Sequence, residues 1–270
     1  MGAEAVDICV AGCYDSPQGR RIHIMDLLKR ANLETVSYPP DASCPVPEPR
    51  DRTTHIDVLN ATTLAAAREV LGQGGRPAAL NFASATHPGG GFLDGARAQE
   101  ESLCWSSGLY ACLLGNAMYE FHQKRDDTLY TDYVLYSPDV PVFRGEDGVL
   151  LERPWPCSFL TSAAPFTKFF LLEHPDRESE IPGVFRSRIA RVLAVAAHHG
   201  HEDLVLGAWG CGAFGNDPAV VAPLFREALE GPFRGAFASV LFAVRDSSPD
   251  RYVLKAFASE FSTTGDGHGA

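Results

Sequence analysis

Past residue 54 the chain alternates short apolar or β-branched runs with longer stretches in which apolar residues return every three or four positions. IDVL reads as a strand, and TTLAAAREVLGQG as a helix with threonine at its start and glycine at its stop. PAALNFAS (77–84) is the next strand. From Gln99 onward, Leu103, Tyr110, Leu114 and Met118 fall on one face of a single predicted helix. YVLYSPDVPVF and CSFLTSAAP read as strands, RSRIARVLAVAAHHG as a helix ending at Gly200, and DLVLGAWG as a buried strand. NDPAVVAPLFREALEG is a helix with Pro218 in its first turn, ASVLFAVRD a strand that closes the sheet, and DRYVLKAFASEF a last helix. Residues 1–36 read as mostly helical, through RRIHIMDLLKRA, and PPDASCPVPEPRD (39–51) as an irregular connector.

Strands alternating with helices predict an α/β fold with a largely parallel sheet covered on both faces. Ligands of such sheets bind at the carboxyl ends of the strands. Two glycine-rich segments, HPGGGF and GCGAFGN, each follow a strand and are therefore expected on one rim. The length of 270 residues suits one α/β domain with an appendage. A formal net charge of −11 excludes a broad basic surface for a polyanion, so an anionic ligand has to be gripped locally. Seven cysteines without a CxxC pair speak against a disulfide framework or a zinc ribbon. The start MGAEAVDICVAG has no signal-peptide pattern, and no apolar run reaches the roughly 20 residues of a membrane span. A cytoplasmic location is expected.

The candidate chemistry gathers on that rim. Gly89, Gly90 and Gly91 let a ligand touch the main chain, and a helix opening near Gln99 offers free N–H groups. The second loop repeats the device with Gly207, Gly210, Gly212 and Gly215 before Asn216-Asp217-Pro218. Two such nests suit a diphosphate. Glu100 and Glu101 are either dipole-favoured surface acids or a working pair, one as acid/base and one as orienting acceptor. GCGAFG matches GxGxxG, but it lies late in the chain and no acid ends a following strand about 20 residues on, which counts against a dinucleotide site. His198, His199 and His201 sit at a helix C-terminus, where cationic residues complement the dipole; no spaced further metal ligands are evident. Cys211 reads as a small buried thiol, Trp209 as core, and Phe214 as either a core plug or a lid on a sugar.

GGGFLDGARAQEE resembles the GGG-x(6–8)-QEE motif of poly(ADP-ribose) glycohydrolases, with seven residues intervening. LNFASATHPGGGF, YSPDVPVFR, TSAAP and LGAWGCGAFGNDP are similar to the compact bacterial type, over roughly residues 5–260. The resemblance implies a macrodomain-like three-layer α/β/α fold with a mixed, largely parallel central sheet. It also implies an N-terminal helical accessory segment and connector (1–50), a catalytic core (51–262) and a flexible tail (263–270). Glu101 would be the catalytic acid, Glu100 would bond the ribose hydroxyls, and Gln99 would hold the catalytic loop. Gly89, Gly90 and Gly91, with Gly210, Cys211, Gly212, Ala213, Phe214, Gly215 and Asn216, would form the diphosphate loops. Phe214 would press the distal ribose toward Glu101, and Asn81 and Ser84 would line the cleft. The implied reaction is hydrolysis of ribose–ribose O-glycosidic bonds, reversing ADP-ribosylation and releasing ADP-ribose, with no cofactor or metal and with the polymer or ADP-ribosylated proteins as partners. A non-catalytic ADP-ribose reader and a mono-ADP-ribosyl hydrolase remain as alternatives sharing the same cleft.

Overall fold

The structure is a computed structural model describing residues 1–262; the tail predicted at 263–270 lies outside the described residues. The chain runs α1 (Gly2–Ala11), β1 (Cys13–Asp15), β2 (Arg21–His23), α2 (Met25–Leu33), β3 (Val36–Tyr38), β4 (His55–Leu59), α3 (Thr63–Gly72) and β5 (Pro77–Phe82). It continues through α4 (Gln99–Ser106), α5 (Leu109–Leu113), α6 (Ala117–Gln123), β6 (Val134–Arg144), β7 (Leu150–Ser162) and α7 (Thr167–Glu173). It ends with α8 (Ile181–His198), β8 (Asp203–Leu206), α9 (Pro218–Glu230), β9 (Ser239–Ala243) and α10 (Tyr252–Phe261).

Seven strands form one mixed sheet in the order β3-β6-β7-β5-β8-β9-β4. The five from β7 to β4 are mutually parallel, while β6 and β3 extend the sheet antiparallel. Along β5, Ala78 and Leu80 face one core and Ala79 the other. Leu204 and Leu206 against Val205, and Val240 and Phe242 against Leu241, divide in the same way. This period of two, apolar on both faces, is what helices on both sides demand. Phe185, Ile189 and Val192 of α8 and Val221 and Phe225 of α9 cover one face; Leu64, Ala67 and Val70 of α3 and Leu103 of α4 cover the other. The N-terminal elements build a third core, in which Ala5, Ile8, Ile24 and Leu28 close over Phe143 of β6.

Several expectations change. RRIHIMDLLKRA is not one helix: Arg21–His23 pairs with Cys13–Asp15 as a hairpin, and only Met25–Leu33 is helical. Val36–Tyr38, inside the expected accessory segment, pairs with β6, so the main sheet draws on the first 50 residues. The single helix from Gln99 is three helices. Ser107 is extended and bridges Val142, and Gly108 N–H donates to Pro141 O at 3.0 Å. Pairing with β6 thus outweighs the helical period, and Leu114, beyond the break, is 52% exposed. ASVLFAVRD contains a strand, yet β9 lies inside the sheet between β8 and β4, where β4 is the edge.

The histidines after α8 are not cationic caps. His199 stacks on Tyr136 at 3.6 Å and its Nε2 pairs with Tyr38 Oη at 2.7 Å; burial lowers its pKa to about 4. His201 pairs with Tyr136 Oη at 2.8 Å, and burial lowers its pKa too. Both are neutral members of an aromatic cluster. Among the described residues no helix is long and apolar enough to cross a membrane.

Candidate active site

Because β7, β5, β8, β9 and β4 are parallel neighbours, the loops that leave their carboxyl ends share one rim. The two glycine loops follow adjacent strands, β5 and β8, and so stand side by side.

The first loop folds back on the carboxylates. Gly89 and Gly90 take φ of 73° and 59°, a region that favours glycine. A Cβ on Gly90 would fall inside contact with Glu101 Oε1 and lie 3.1 Å from both Glu100 Oε2 and Glu101 Cδ. The turn therefore presses its bare backbone against both acids, which is why no side chain fits there. Glu101 Oε1 accepts from Gly91 N at 3.0 Å and Oε2 from Ala98 N at 3.1 Å, so the same carboxylate closes the loop and caps α4.

Glu100 turns inward. Its Oε2 accepts from Ser84 N at 2.7 Å and its Oε1 from Asn81 Nδ2 at 3.3 Å. Burial pushes its pKa up to about 8, against the lowering effect of the Ser84 and Asn81 hydrogen bonds; the charge of Glu101 adds to the rise. At 3% and 8% exposure, Glu100 and Glu101 are not surface acids. Gln99 straps α4 to β5: its Oε1 accepts from Phe82 N at 2.9 Å, and its Nε2 donates to Leu80 O at 2.7 Å and Thr63 Oγ1 at 3.0 Å. Thr63 had no signal in the sequence beyond its place near a helix start. Ser84 spends its hydroxyl on His87 N at 3.1 Å, shaping the loop.

In the second loop, a Cβ on Gly210 (φ 74°) would meet Ala164 Cβ at 2.6 Å, while one on Gly212 would meet nothing within 4 Å. The loop's base is thus jammed against the sheet and its crest is open. The Asn216 side chain turns into the loop itself. Its buried Nδ2 donates to Pro165 O at 2.8 Å and Gly210 O at 3.0 Å, and its Oδ1 accepts from Thr167 Oγ1. It ties the two ends of the loop together. Trp209 is buried and donates Nε1–H to Ser162 O at 3.2 Å. Cys211 is held as an inert thiol, pushed up to about 12 by burial. Ala213 and Gly215 are exposed. Phe214 is half-buried and stacks on Phe166 at 4.5 Å and 16°.

Beside these loops, at the carboxyl ends of β4 and β9, lies a cleft of about 820 Å³ lined by Asn60, Thr62, Arg245, Asp246, Ser248 and Arg251. It does not include the carboxylates; it extends the rim to one side of them. The rim thus carries the crest of the second loop, where the Gly212, Ala213 and Phe214 amides join no hydrogen bond among the described residues, together with a buried carboxyl pair and an aromatic ring, the equipment for gripping an anionic sugar and moving a proton. The amides of Gly90 and Gly91 are already given to His87 O and Glu101 Oε1.

A sequence profile described as the catalytic domain of microbial-type PARG, poly(ADP-ribose) glycohydrolase, matches residues 2–145. No curated protein sequence matches the chain. Among solved structures, poly(ADP-ribose) glycohydrolase from Thermomonospora curvata is similar with 48% identity and a TM-score of 0.91, covering 96% of this chain and 97% of that one. The same protein bound to the inhibitor ADP-HPD matches with a TM-score of 0.88. The enzyme from Deinococcus radiodurans in complex with ADP-ribose shares 42% identity and a TM-score of 0.84, covering 87% of this chain and 97% of that one. With this agreement in sequence and structure across nearly its whole length, the chain belongs to the microbial-type poly(ADP-ribose) glycohydrolase family.

Proposed function

We propose that the chain hydrolyses the ribose–ribose O-glycosidic bonds of poly(ADP-ribose) and releases ADP-ribose, with Glu101 as general acid and base. The observation that carries this reading is the buried Glu101 carboxylate, held at the rim by Gly91 N and Ala98 N with the Gly90 backbone packed on it. The ligands seen in relatives, ADP-ribose and ADP-HPD, support the same substrate class.

The diphosphate lies between the 89–91 turn and the 210–215 loop, and the unpaired amides of Gly212, Ala213 and Phe214 meet its charge locally. The adenosine enters the cleft of Asn60, Arg245 and Arg251. The distal ribose packs on Phe214 and presents C1″ to Glu101. Glu101 donates its proton to the departing 2′-oxygen as the C1″–O bond breaks and its electron pair moves onto that oxygen. The ribose passes through an oxocarbenium-like state. Water then bonds to C1″ and gives its proton to Glu101, so one water is consumed and the acid is restored. Glu100, which keeps its own proton near neutral pH because it is buried, donates to or accepts from the ribose hydroxyls.

The test is a product assay on long and short polymer with native protein and Glu101→Gln. The variant is expected to lose about 10²- to 10⁴-fold in kcat while binding ADP-ribose with affinity close to native. Native protein that frees no ADP-ribose from polymer, or a variant with native kcat, overturns the reading.

A further inference from the structure

The aromatic surface of the second loop does not stop at Phe214. Phe166, stacked on it, meets Phe169 edge-on at 4.6 Å, and the ring of Tyr130 lies 6.4 Å from Phe214, tilted by 50°. Phe169 is 50% exposed, the only exposed phenylalanine among the described residues. Lys168, between Phe166 and Phe169 in sequence, is exposed and joins no ion pair among the described residues. Its backbone N–H donates to Phe214 O at 3.0 Å, and its Cβ would lie 3.0 Å from a Cβ on Gly215. A free cation is thus fixed to the flank of the anion-binding loop in a protein of net charge −11.

Tyr130 is held in place at a cost. Its φ of 58° is strained for a residue with a side chain, by about 1–2 kcal/mol. The segment around it is tied down on every side: Leu129 N donates to Asp127 Oδ1 at 2.8 Å, Phe166 N to Thr128 O at 2.9 Å, and the buried Arg188 to Leu129 O at 2.8 Å. The helix before it is anchored to the first loop by Gln123 Nε2, which donates to Thr86 O at 2.6 Å. Tyr130 therefore stands beside the second glycine loop, half-buried, with its hydroxyl in no hydrogen bond among the described residues.

Position along the rim says which part of a polymer would meet this row. The strand order is β7-β5-β8-β9-β4, so the cleft at β9 and β4 lies to one side of the loops and α7, which follows β7, to the other. If adenosine fills the cleft and diphosphate the loops, the distal ribose points toward β7, and the chain beyond the scissile bond leaves over α7. The group on the far side of that bond is itself an adenosine carrying phosphate. An adenine needs a flat apolar face, and a phosphate needs a cation.

We propose that Tyr130, Phe166, Phe169 and Lys168 form a subsite for the adenosine and phosphate of the ADP-ribose unit on the leaving side of the bond. It rests on the reading of the preceding subsection, with adenosine in the β4/β9 cleft. The row gives preference for polymer over single ADP-ribose units, since a lone unit never reaches it.

Binding to the Glu101→Gln protein tests the subsite without hydrolysis, with purified polymer and free ADP-ribose as probes. Phe169→Leu, which keeps apolar bulk but removes the ring, is expected to weaken polymer binding about five- to tenfold, and Phe169→Trp to retain it. Lys168→Gln is expected to weaken polymer binding and to lower the log–log salt slope by about 0.7. ADP-ribose affinity is expected to stay within about twofold in all three, the pattern of a subsite that a single unit does not occupy. Polymer and ADP-ribose affinities falling together, or polymer affinity unmoved in both Phe169→Leu and Lys168→Gln, overturns the subsite. A native protein that binds polymer in this pattern but frees no ADP-ribose overturns the catalytic reading alone.

Discussion

Gly90→Ala isolates the link between the glycine turn and the carboxyl pair. At φ 59° an alanine is strained by about 1–2 kcal/mol. Its Cβ would also collide with Glu101 Oε1 and stand 3.1 Å from Glu101 Cδ, where carbon atoms prefer about 3.5–4 Å. Relief requires the carboxylate to move by about 0.5–1 Å, which breaks its 3.0 Å bond from Gly91 N. Loss of that charge-assisted bond adds roughly 1.5–3 kcal/mol, for a total destabilisation of about 2.5–5 kcal/mol. A displacement of this size in a reacting group costs about 10²-fold in rate. Gly95→Ala supplies the comparison: its φ of 87° is equally unfavourable, but a Cβ there meets nothing within 4 Å. It pays the strain and leaves the acids in place. Urea unfolding and kcat/KM on polymer, measured for both, separate the terms. Gly95→Ala should lose only stability, and Gly90→Ala both stability and rate. Equal rates in the two variants would mean that the turn does not set the position of Glu101.

Two further outcomes follow from the site. Since burial raises Glu100 to about 8, the folded state holds its proton while the unfolded state releases it near pH 4.5; stability from this group is full below that pH and is lost as pH rises through about 8. Urea midpoints of native and Glu100→Gln across pH 4–9 should therefore converge in shape only when this downward slope is subtracted, and identical slopes would show that Glu100 is ionised at neutral pH. Asn216→Ala removes the ties to Pro165 O, Gly210 O and Thr167 Oγ1 and leaves buried partners unpaired, so a loss of about 3 kcal/mol and weaker ADP-ribose binding by calorimetry are expected; unchanged unfolding would refute the tie.

Local sequence carried the elements whose period matches their burial. The strands PAALNF and DLVL, the helix opened by Asp217 and Pro218, and the two glycine loops after neighbouring strands were all legible, because both-sided burial and cap chemistry are written residue by residue. The break at Ser107 was not, since it comes from pairing with Val142, 35 positions away in the chain. Neither was the tie from Asn216 to Pro165 O, 51 positions back in the chain. Tyr130 and Phe166 gave no local sign of lining the same surface as Phe214, because that neighbourhood exists only once β7 and β8 flank β5.

By itself the sequence determined the α/β alternation, the paired glycine loops and the adjacent acids, because backbone freedom, periodicity and charge are properties of short stretches. Only the tertiary structure decided that Glu100 is buried deeply enough to hold its proton near neutral pH, and that the Asn216 side chain ties the ends of its loop together. Desolvation and hydrogen-bond satisfaction depend on what the rest of the chain brings within a few ångströms, and that is fixed by packing alone.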